Sequence, residues 1–146
     1  MSEKKIVICD IDGTIANNDH RQHFLEGKKD WDGFFSKLNK DLPIYSVIKK
    51  VIELHKQGKE IIFLTGRPEK YVHSTELWLK EHFDFSFEII SRQNNDRRNK
   101  ISVKMEMFEK NLNKEDVYLV IENDLDLLKM WDGLGMKTLN ANLMMK

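Results

Sequence analysis

The sequence predicts an α/β protein, a doubly wound parallel sheet with helices on both faces and a small insert after the first strand. Three observations carry this. Short apolar runs rich in β-branched residues alternate with stretches of helical spacing. The runs are nearly continuous in apolar character, as strands buried on both faces are. Acidic or glycine-containing turns follow several of the runs, at the place where open α/β sheets bind ligands.

Residues 5–9, Lys-Ile-Val-Ile-Cys, form the first strand candidate. Residues 17–42 then break the alternation. They are polar and too long for a usual connection, yet carry Trp31, Phe34 and Phe35, so an ordered lid over the strand ends is expected. Ile44, Val47, Ile48, Val51 and Ile52 repeat at helical spacing between Pro43 and Gly58. Residues 60–64 make the second strand. Pro68 is expected to open a helix carrying Val72, Thr75, Trp78, Leu79 and His82. Residues 87–90 are a weaker strand, and Ile101, Met105, Phe108 and Leu112 mark a third helix. Residues 117–121, Val-Tyr-Leu-Val-Ile, form another strong strand. Leu127, Leu128, Trp131 and Leu134 mark a fourth helix ending near Gly135, and residues 136–139 are a weak last strand. Trp78, Trp131 and Cys9 are expected in the core.

The length of 146 residues predicts one domain, 1–146. With 24 Lys+Arg against 24 Asp+Glu, the formal net charge is zero. That excludes grip on nucleic acid by global charge and leaves a local patch open. An apolar fraction of 40% supports a packed core and excludes a disordered chain. A single cysteine excludes an internal disulfide and a cysteine-based zinc site. No apolar run reaches the roughly 18 residues of a membrane span, and the charged N-terminus does not read as a signal peptide. A cytoplasmic protein with no membrane partner is expected.

Chemistry concentrates at the strand ends. The first strand runs into Asp10-Ile11-Asp12-Gly13-Thr14. Two carboxylates two residues apart on extended chain point to one side, and like charges so close need a cation or a shared proton. Hard oxygen ligands suit magnesium. The second strand runs into Thr65-Gly66-Arg67-Pro68, read as a hydroxyl, free amides and a helix N-terminus forming a phosphate site, with Arg67 as a planar cationic fork. The third helix carries Lys100 and Lys104. Glu122, Asn123, Asp124 and Asp126 follow the last strong strand, with Asp124 a candidate helix cap. A carboxylate nucleophile, a second carboxylate, a metal, a hydroxyl and a lysine together serve phosphoryl transfer through an aspartyl-phosphate. Residues 92–104 hold Arg92, Arg97, Arg98, Lys100 and Lys104 against Asp96 alone, either a track for a nucleic-acid backbone or a solvated face.

With these residues in hand, the chain resembles the haloacid dehalogenase superfamily phosphatases. Asp10-Ile-Asp12-Gly-Thr resembles their first motif, Thr65 the second, Lys104 the third, and Glu122 with Asp126 the fourth. More closely, it resembles the phage and bacterial 3′-phosphatase domains of polynucleotide kinase/phosphatase. Arg21 stands eleven residues after the nucleophile, Thr65-Gly66-Arg67 matches the second motif, Arg92, Asp96 and Arg98 precede Lys104, and Met130-Trp131 leads to Gly133 and Gly135. Two positions depart: Glu122-Asn123 replaces Asp-Asp, and Lys100 replaces an aspartate.

The resemblance implies a Rossmann-like sheet and a magnesium-dependent phosphomonoesterase. It implies Asp10 as nucleophile, Asp12 as acid and base, and Thr65, Gly66 and Lys104 on the phosphoryl oxygens. Arg21, Arg67, Arg92 and Arg98 would bind substrate. Magnesium would be held by Asp10, the carbonyl of Asp12, and Glu122, with Asn123 contributing an oxygen or a hydrogen bond to its water; Asp126 would orient Lys104. The implied substrate is a phosphorylated nucleic-acid end. A 5′-nucleotidase acting on mononucleotides and a catalytically silent phosphate-binding module are the alternatives. No Gly-x-x-x-x-Gly-Lys-Ser/Thr loop occurs, so any 5′-kinase is expected on a separate partner chain.

Overall fold

The computed structural model describes residues 3–144. Its strands are β1 (Ile6–Cys9), β2 (Ala16–Asn17), β3 (Leu42–Pro43), β4 (Glu60–Pro68), β5 (Glu88–Arg92), β6 (Val117–Glu122) and β7 (Thr138–Asn140). Its α-helices are α1 (Trp31–Ser36), α2 (Tyr45–Lys56), α3 (Val72–His82), α4 (Lys100–Asn111) and α5 (Leu125–Gly133). Five strands form one parallel sheet in the order β5-β4-β1-β6-β7.

That order positions the site. From β1 the chain moves outward through β4 to β5, then crosses back over β1 to β6 and β7. The direction reverses beside β1, so its carboxyl end opens into the crevice where such sheets hold ligands. The strands are apolar throughout because both faces are covered. Val7, Cys9, Ile61, Phe63, Leu119 and Ile121 pack with Val47, Ile48, Val51 and Leu54 of α2 and Trp78 and Leu79 of α3. Ile8, Leu64 and Val120 face α4 and α5 through Val103, Met107, Phe108, Leu127 and Trp131. The three- and four-residue spacing on α2 aligns four buried side chains on one stripe, each contributing about 1.5–3 kcal/mol on burial. Cys9, Trp78 and Trp131 are core residues, as expected.

Two boundaries differ from the sequence reading. Pro68 does not open a helix. It is extended (φ −63°, ψ 152°) and continues β4, pairing with Arg92 of β5 after an irregularity that begins at Thr65. A 3₁₀ turn, Glu69–Tyr71, precedes α3. Pro43 likewise lies in β3 and pairs with Ala16 of β2, closing a short antiparallel ribbon at the base of the insert. Between these two strands run a 3₁₀ segment (Asp19–Leu25), α1 and a second 3₁₀ turn (Leu38–Lys40). Phe34 and Leu38 are buried, whereas Trp31 is half exposed. Tyr71 donates a hydrogen bond to Asp32 and stacks near Phe35, joining the insert to the start of α3.

Candidate active site

Asp10 directly follows β1, and its amide donates to the carbonyl of Ile121 on β6 at 3.0 Å. Ile11 turns into the core and is fully buried. Asp10 and Asp12 therefore lie on the other side, by the two-residue period of extended chain. The turn beyond them needs Gly13. Its φ is +79°, and a Cβ there would stand 2.3 Å from the side-chain amide of Asn123. Thr14 then donates from Oγ1 to Asp10 Oδ2 at 2.9 Å, with Asn123 Oδ1 3.1 Å from the same hydroxyl.

The two carboxylates have different partners. Lys104, on the second turn of α4, is buried and donates from Nζ to Asp10 Oδ1 at 2.6 Å and to Glu122 Oε1 at 3.0 Å. The other oxygen of Glu122 accepts from the amides of Asn123 (3.1 Å) and Asp124 (3.3 Å). One ammonium thus serves two buried carboxylates. Burial and the charge of Glu122 push the carboxyl of Asp10 up to about 8, against the pull of Lys104. The ammonium of Lys104 is held protonated: burial opposes its charge, but Asp10 and Glu122 more than offset that.

Asp12 meets two guanidiniums. Arg67 grips it from Nε (3.1 Å) and Nη2 (2.8 Å), and Arg21 Nη2 donates at 2.6 Å. Burial alone would raise this carboxyl, but Arg67 and then Arg21 outweigh it and hold it down at about 2. Both arginines are themselves buried and share a second acid, Asp41, whose side chain is fully buried. Asp41 Oδ1 accepts from Arg21 Nε at 2.7 Å and lies 2.7 Å from His20 Nε2; its Oδ2 accepts from Arg21 Nη2 (2.7 Å) and Arg67 Nη2 (3.2 Å). Its carbonyl accepts from Trp78 Nε1 at 2.9 Å, tying the end of the insert to α3. Arg67 Nη1 finishes on Thr75 at 3.0 Å, and the ring of Phe34 lies 4.3 Å from the guanidinium of Arg21. Two acids and two arginines make a neutral quartet, buried except at Asp12, whose side chain is 25% exposed.

The structure therefore gathers Asp10, Asp12, Arg21, Arg67, Lys104, Glu122 and Asn123 around one strand end. Thr65 is buried beside them, its hydroxyl accepting from the Arg67 amide at 3.1 Å. Gly66 is partly exposed, and a Cβ on it would lie 3.7 Å from Arg92 Nη2. Arg92 anchors on the carbonyls of Asp96 (3.1 Å) and Arg98 (3.2 Å), while its Nε is buried without a partner among the described residues.

Several expectations need correction. The Thr65-Gly66-Arg67 turn does not sit on a helix N-terminus, because β4 continues through Pro68 and α3 begins only at Val72. Arg98 does not turn to the strand ends; Asp96 (2.8 Å) and Glu106 take its guanidinium. Asp126 does not touch Lys104. It lies 3.3 Å from Lys100, which also pairs with Asp124 at 2.6 Å. The basic run 92–104 is thus largely spent on internal partners. Asp124 does cap α5, accepting from the amides of Asp126 and Leu127. The sequence reading missed Asp41. Its partners, Arg21 and Arg67, lie 20 and 26 positions away in the chain, so no local signal marked it.

Residues 4–143 match the family described as the polynucleotide kinase PNKP phosphatase domain. No curated protein matches the chain significantly. Among solved structures it is similar to a chain of the Pnkp1/Rnl/Hen1 complex (25% identity, TM-score 0.78, 94% of this chain). It is equally similar to a chain of the Pnkp1/Rnl/Hen1 RNA repair complex (25% identity, TM-score 0.79, 94% of this chain). It spans only 45% and 42% of those chains' length. A phosphoserine phosphatase structure shares the fold (19% identity, TM-score 0.52, 92% of this chain and 85% of that one). With the family match running almost end to end over these residues, the chain belongs to the phosphatase domain family of polynucleotide kinase PNKP and is a phosphatase.

Proposed function

We propose that this domain is a magnesium-dependent polynucleotide 3′-phosphatase working through an aspartyl-phosphate on Asp10, with residues 17–42 as its cap. The observation that carries the reading is geometric: Asp10 and Asp12 share one strand end but take separate cations, Lys104 at 2.6 Å from Asp10, and Arg21 and Arg67 at 2.6 and 2.8 Å from Asp12. Two carboxyls in such different surroundings suit a division of labour between nucleophile and acid–base. In the resting site, however, the proton favours the wrong member. The nucleophile must be ionised and the acid protonated.

The reaction itself supplies both corrections. Asp10 lacks positive charge: one ammonium balances two buried carboxylates. The donors near it are hard oxygens, those of Asp10 and the Asn123 amide, with the Asp12 carbonyl two residues on. This set fits magnesium. Glu122 is held by Lys104 and by two backbone amides, which cannot turn away as the Thr14 hydroxyl on Asp10 and Asn123 can, so its part is charge and the placement of Lys104. Held by Asp10, Asn123 and the Asp12 carbonyl, a magnesium ion would supply the positive charge that keeps Asp10 ionised. An arriving phosphate dianion competes with Asp12 for Arg21 and Arg67, which loosens Asp12 and raises its affinity for a proton.

Asp10 then forms a bond from its carboxylate oxygen to phosphorus as the ester P–O bond breaks, and Asp12 gives its proton to the leaving oxygen. Lys104 neutralises the phosphoryl group throughout. In the second half, Asp12 takes a proton from water, the water oxygen attacks phosphorus, the Asp10–phosphorus bond breaks, and inorganic phosphate departs.

Support for a nucleic-acid substrate comes from the family and from Arg92, a second cation whose Nη2 lies beside Gly66. The test is phosphate release from 3′-phosphorylated DNA and RNA oligonucleotides and from 3′- and 5′-mononucleotides, with magnesium or chelator. The reading expects 3′-phosphorylated strands to turn over with the highest kcat/KM, only with metal. Fastest turnover of 5′-mononucleotides would replace it with the nucleotidase.

A further inference from the structure

Of the three tryptophans, Trp78 and Trp131 are 3% and 1% exposed, whereas Trp31 is 50% exposed. It opens α1, a helix of six residues. So short a helix has little stability of its own. Phe34 secures it underneath, meeting Trp31 edge-on at 5.9 Å. On the outer side, Trp31 stacks on Phe35 (6.0 Å, 24°), and Phe35 continues to Tyr71 (5.0 Å, 32°). Lys29 stands 5.7 Å from the Trp31 ring and Lys70 5.3 Å from the Tyr71 ring. Asp32 locks the arrangement, accepting from Lys70 and from Tyr71 at 3.1 Å each.

We propose that Trp31, Phe35 and Tyr71 form a stacking platform for the nucleobase next to the scissile phosphate, with Lys29 flanking it for the backbone. The proposal rests on the polynucleotide reading above and adds the group that recognises the base. The platform adjoins the chemistry on two sides. Phe34, beneath it, packs on Arg21, which holds Asp12 at 2.6 Å. Tyr71 lies four residues beyond Arg67, the other guanidinium on Asp12. The rings therefore pack against the residues that hold Asp12.

The surface chemistry argues for this occupant. A protein partner would need a contiguous apolar patch of several hundred Å², but here charged Lys29, Asp30, Asp32 and Lys70 surround a few rings. With Lys70 paired to Asp32, Lys29 stands beside the rings for an anionic backbone that carries a planar base. Stacking tolerates any base and either sugar, so DNA and RNA strands are separate arms of the test.

As the exposed tryptophan, Trp31 reports directly through its fluorescence. In an Asp10→Asn background, which removes the nucleophile, 3′-phosphorylated DNA and RNA oligonucleotides should quench emission. An oligonucleotide of the same length with an abasic 3′ end should not. In the active protein, Trp31→Ala should lower kcat/KM for the base-bearing strands by about 10-fold or more. Turnover of the abasic strand should change little, and Trp31→Phe should restore most of the loss. Equal losses on abasic and base-bearing strands would mean that Trp31 only supports the cap, and would overturn the platform. No loss on base-bearing strands that wild type turns over would overturn it while leaving the 3′-phosphatase reading standing. Base-dependent quenching without turnover of any 3′-phosphorylated strand would support the platform and sink the 3′-phosphatase reading.

Discussion

Replacing Asp41 with asparagine changes one atom type at a fully buried side chain, and its cost follows from the hydrogen-bond count. Oδ1 is met by Arg21 Nε and His20 Nε2, Oδ2 by Arg21 Nη2 and Arg67 Nη2. Whichever way the amide turns, its NH₂ must face a guanidinium N–H, donor against donor. The quartet also loses its balance, leaving two buried cations with Asp12 alone. Breaking a buried ion pair in this way costs about 3–5 kcal/mol. At about 3 °C per kcal/mol for a domain of this size, the melting temperature should fall by about 10 °C. Released from Asp41, both arginines can swing with Asp12, and a misplacement of about 1 Å in an acid–base group costs about 100-fold in turnover. Thermal unfolding by circular dichroism and steady-state kinetics on a 3′-phosphorylated oligonucleotide measure both effects. A variant melting within a degree or two of wild type and keeping half its turnover would refute the quartet as the device that aims Asp12.

Asp10 gives a pH signature. Its folded carboxyl sits at about 8, above the ordinary value near 4, so the folded state holds a proton that the unfolded chain has lost. Metal-free stability should decline as pH rises from about 4 to about 8; Asp10→Asn should abolish both that decline and phosphate turnover. Asp12, held at about 2, acts in the opposite sense: its stabilisation is present above about pH 4 and lost as the pH falls towards 2. Melting curves in chelator across that range check both signs, and a flat profile between pH 4 and 8 would contradict the charge imbalance. Gly13→Ala should unfold at lower temperature, by about 1–2 kcal/mol from the left-handed backbone alone, and lose activity because the new methyl displaces Asn123; wild-type kinetics would show that the loop has room. Asn123→Ala should raise the magnesium needed for half-maximal turnover by about 10- to 100-fold, more than Glu122→Gln does; the reverse order in a magnesium titration would make Glu122 the ligand.

The strands and helices were legible because burial on both sheet faces leaves continuous apolar runs, and the amphipathic stripe of α2 has no competing reading. Pro68 was misread for an identifiable reason. Its local preference suits the first turn of a helix, but the extended conformation suits it equally, and pairing with Arg92 on β5 decides between them. That pairing joins residues 24 apart in the chain. The partners of the basic run 92–104 are likewise set at long range. Lys100 finds Asp124 and Asp126, and Lys104 finds Asp10, 94 positions away. Local charge density does not reveal acids delivered by other elements. Asp41 left no local mark at all, since an aspartate before Leu-Pro reads as a surface turn.

What the motif Asp-x-Asp could not disclose is which acid receives which cation, and the strand order supplies that answer. β1 lies between β4 and β6. On the β4 side the strand end carries Arg67, and the insert adds Arg21 and Asp41. On the β6 side the strand ends in Glu122, and α4, which leads into β6, brings Lys104. Asp10 takes the ammonium and Asp12 the guanidiniums. Exchanging the two acids in chemistry would therefore require changing their neighbours on both flanking strands. An ammonium is a compact charge that occupies one oxygen of Asp10 and leaves the other to the neutral Thr14 hydroxyl, a partner a metal can displace, whereas two guanidinium forks bind a carboxylate or a phosphate with equal ease. On the mechanism proposed above, that second property would let Arg21 and Arg67 exchange Asp12 for substrate, and would tie release of the acid to arrival of the phosphate ester whose leaving oxygen it protonates.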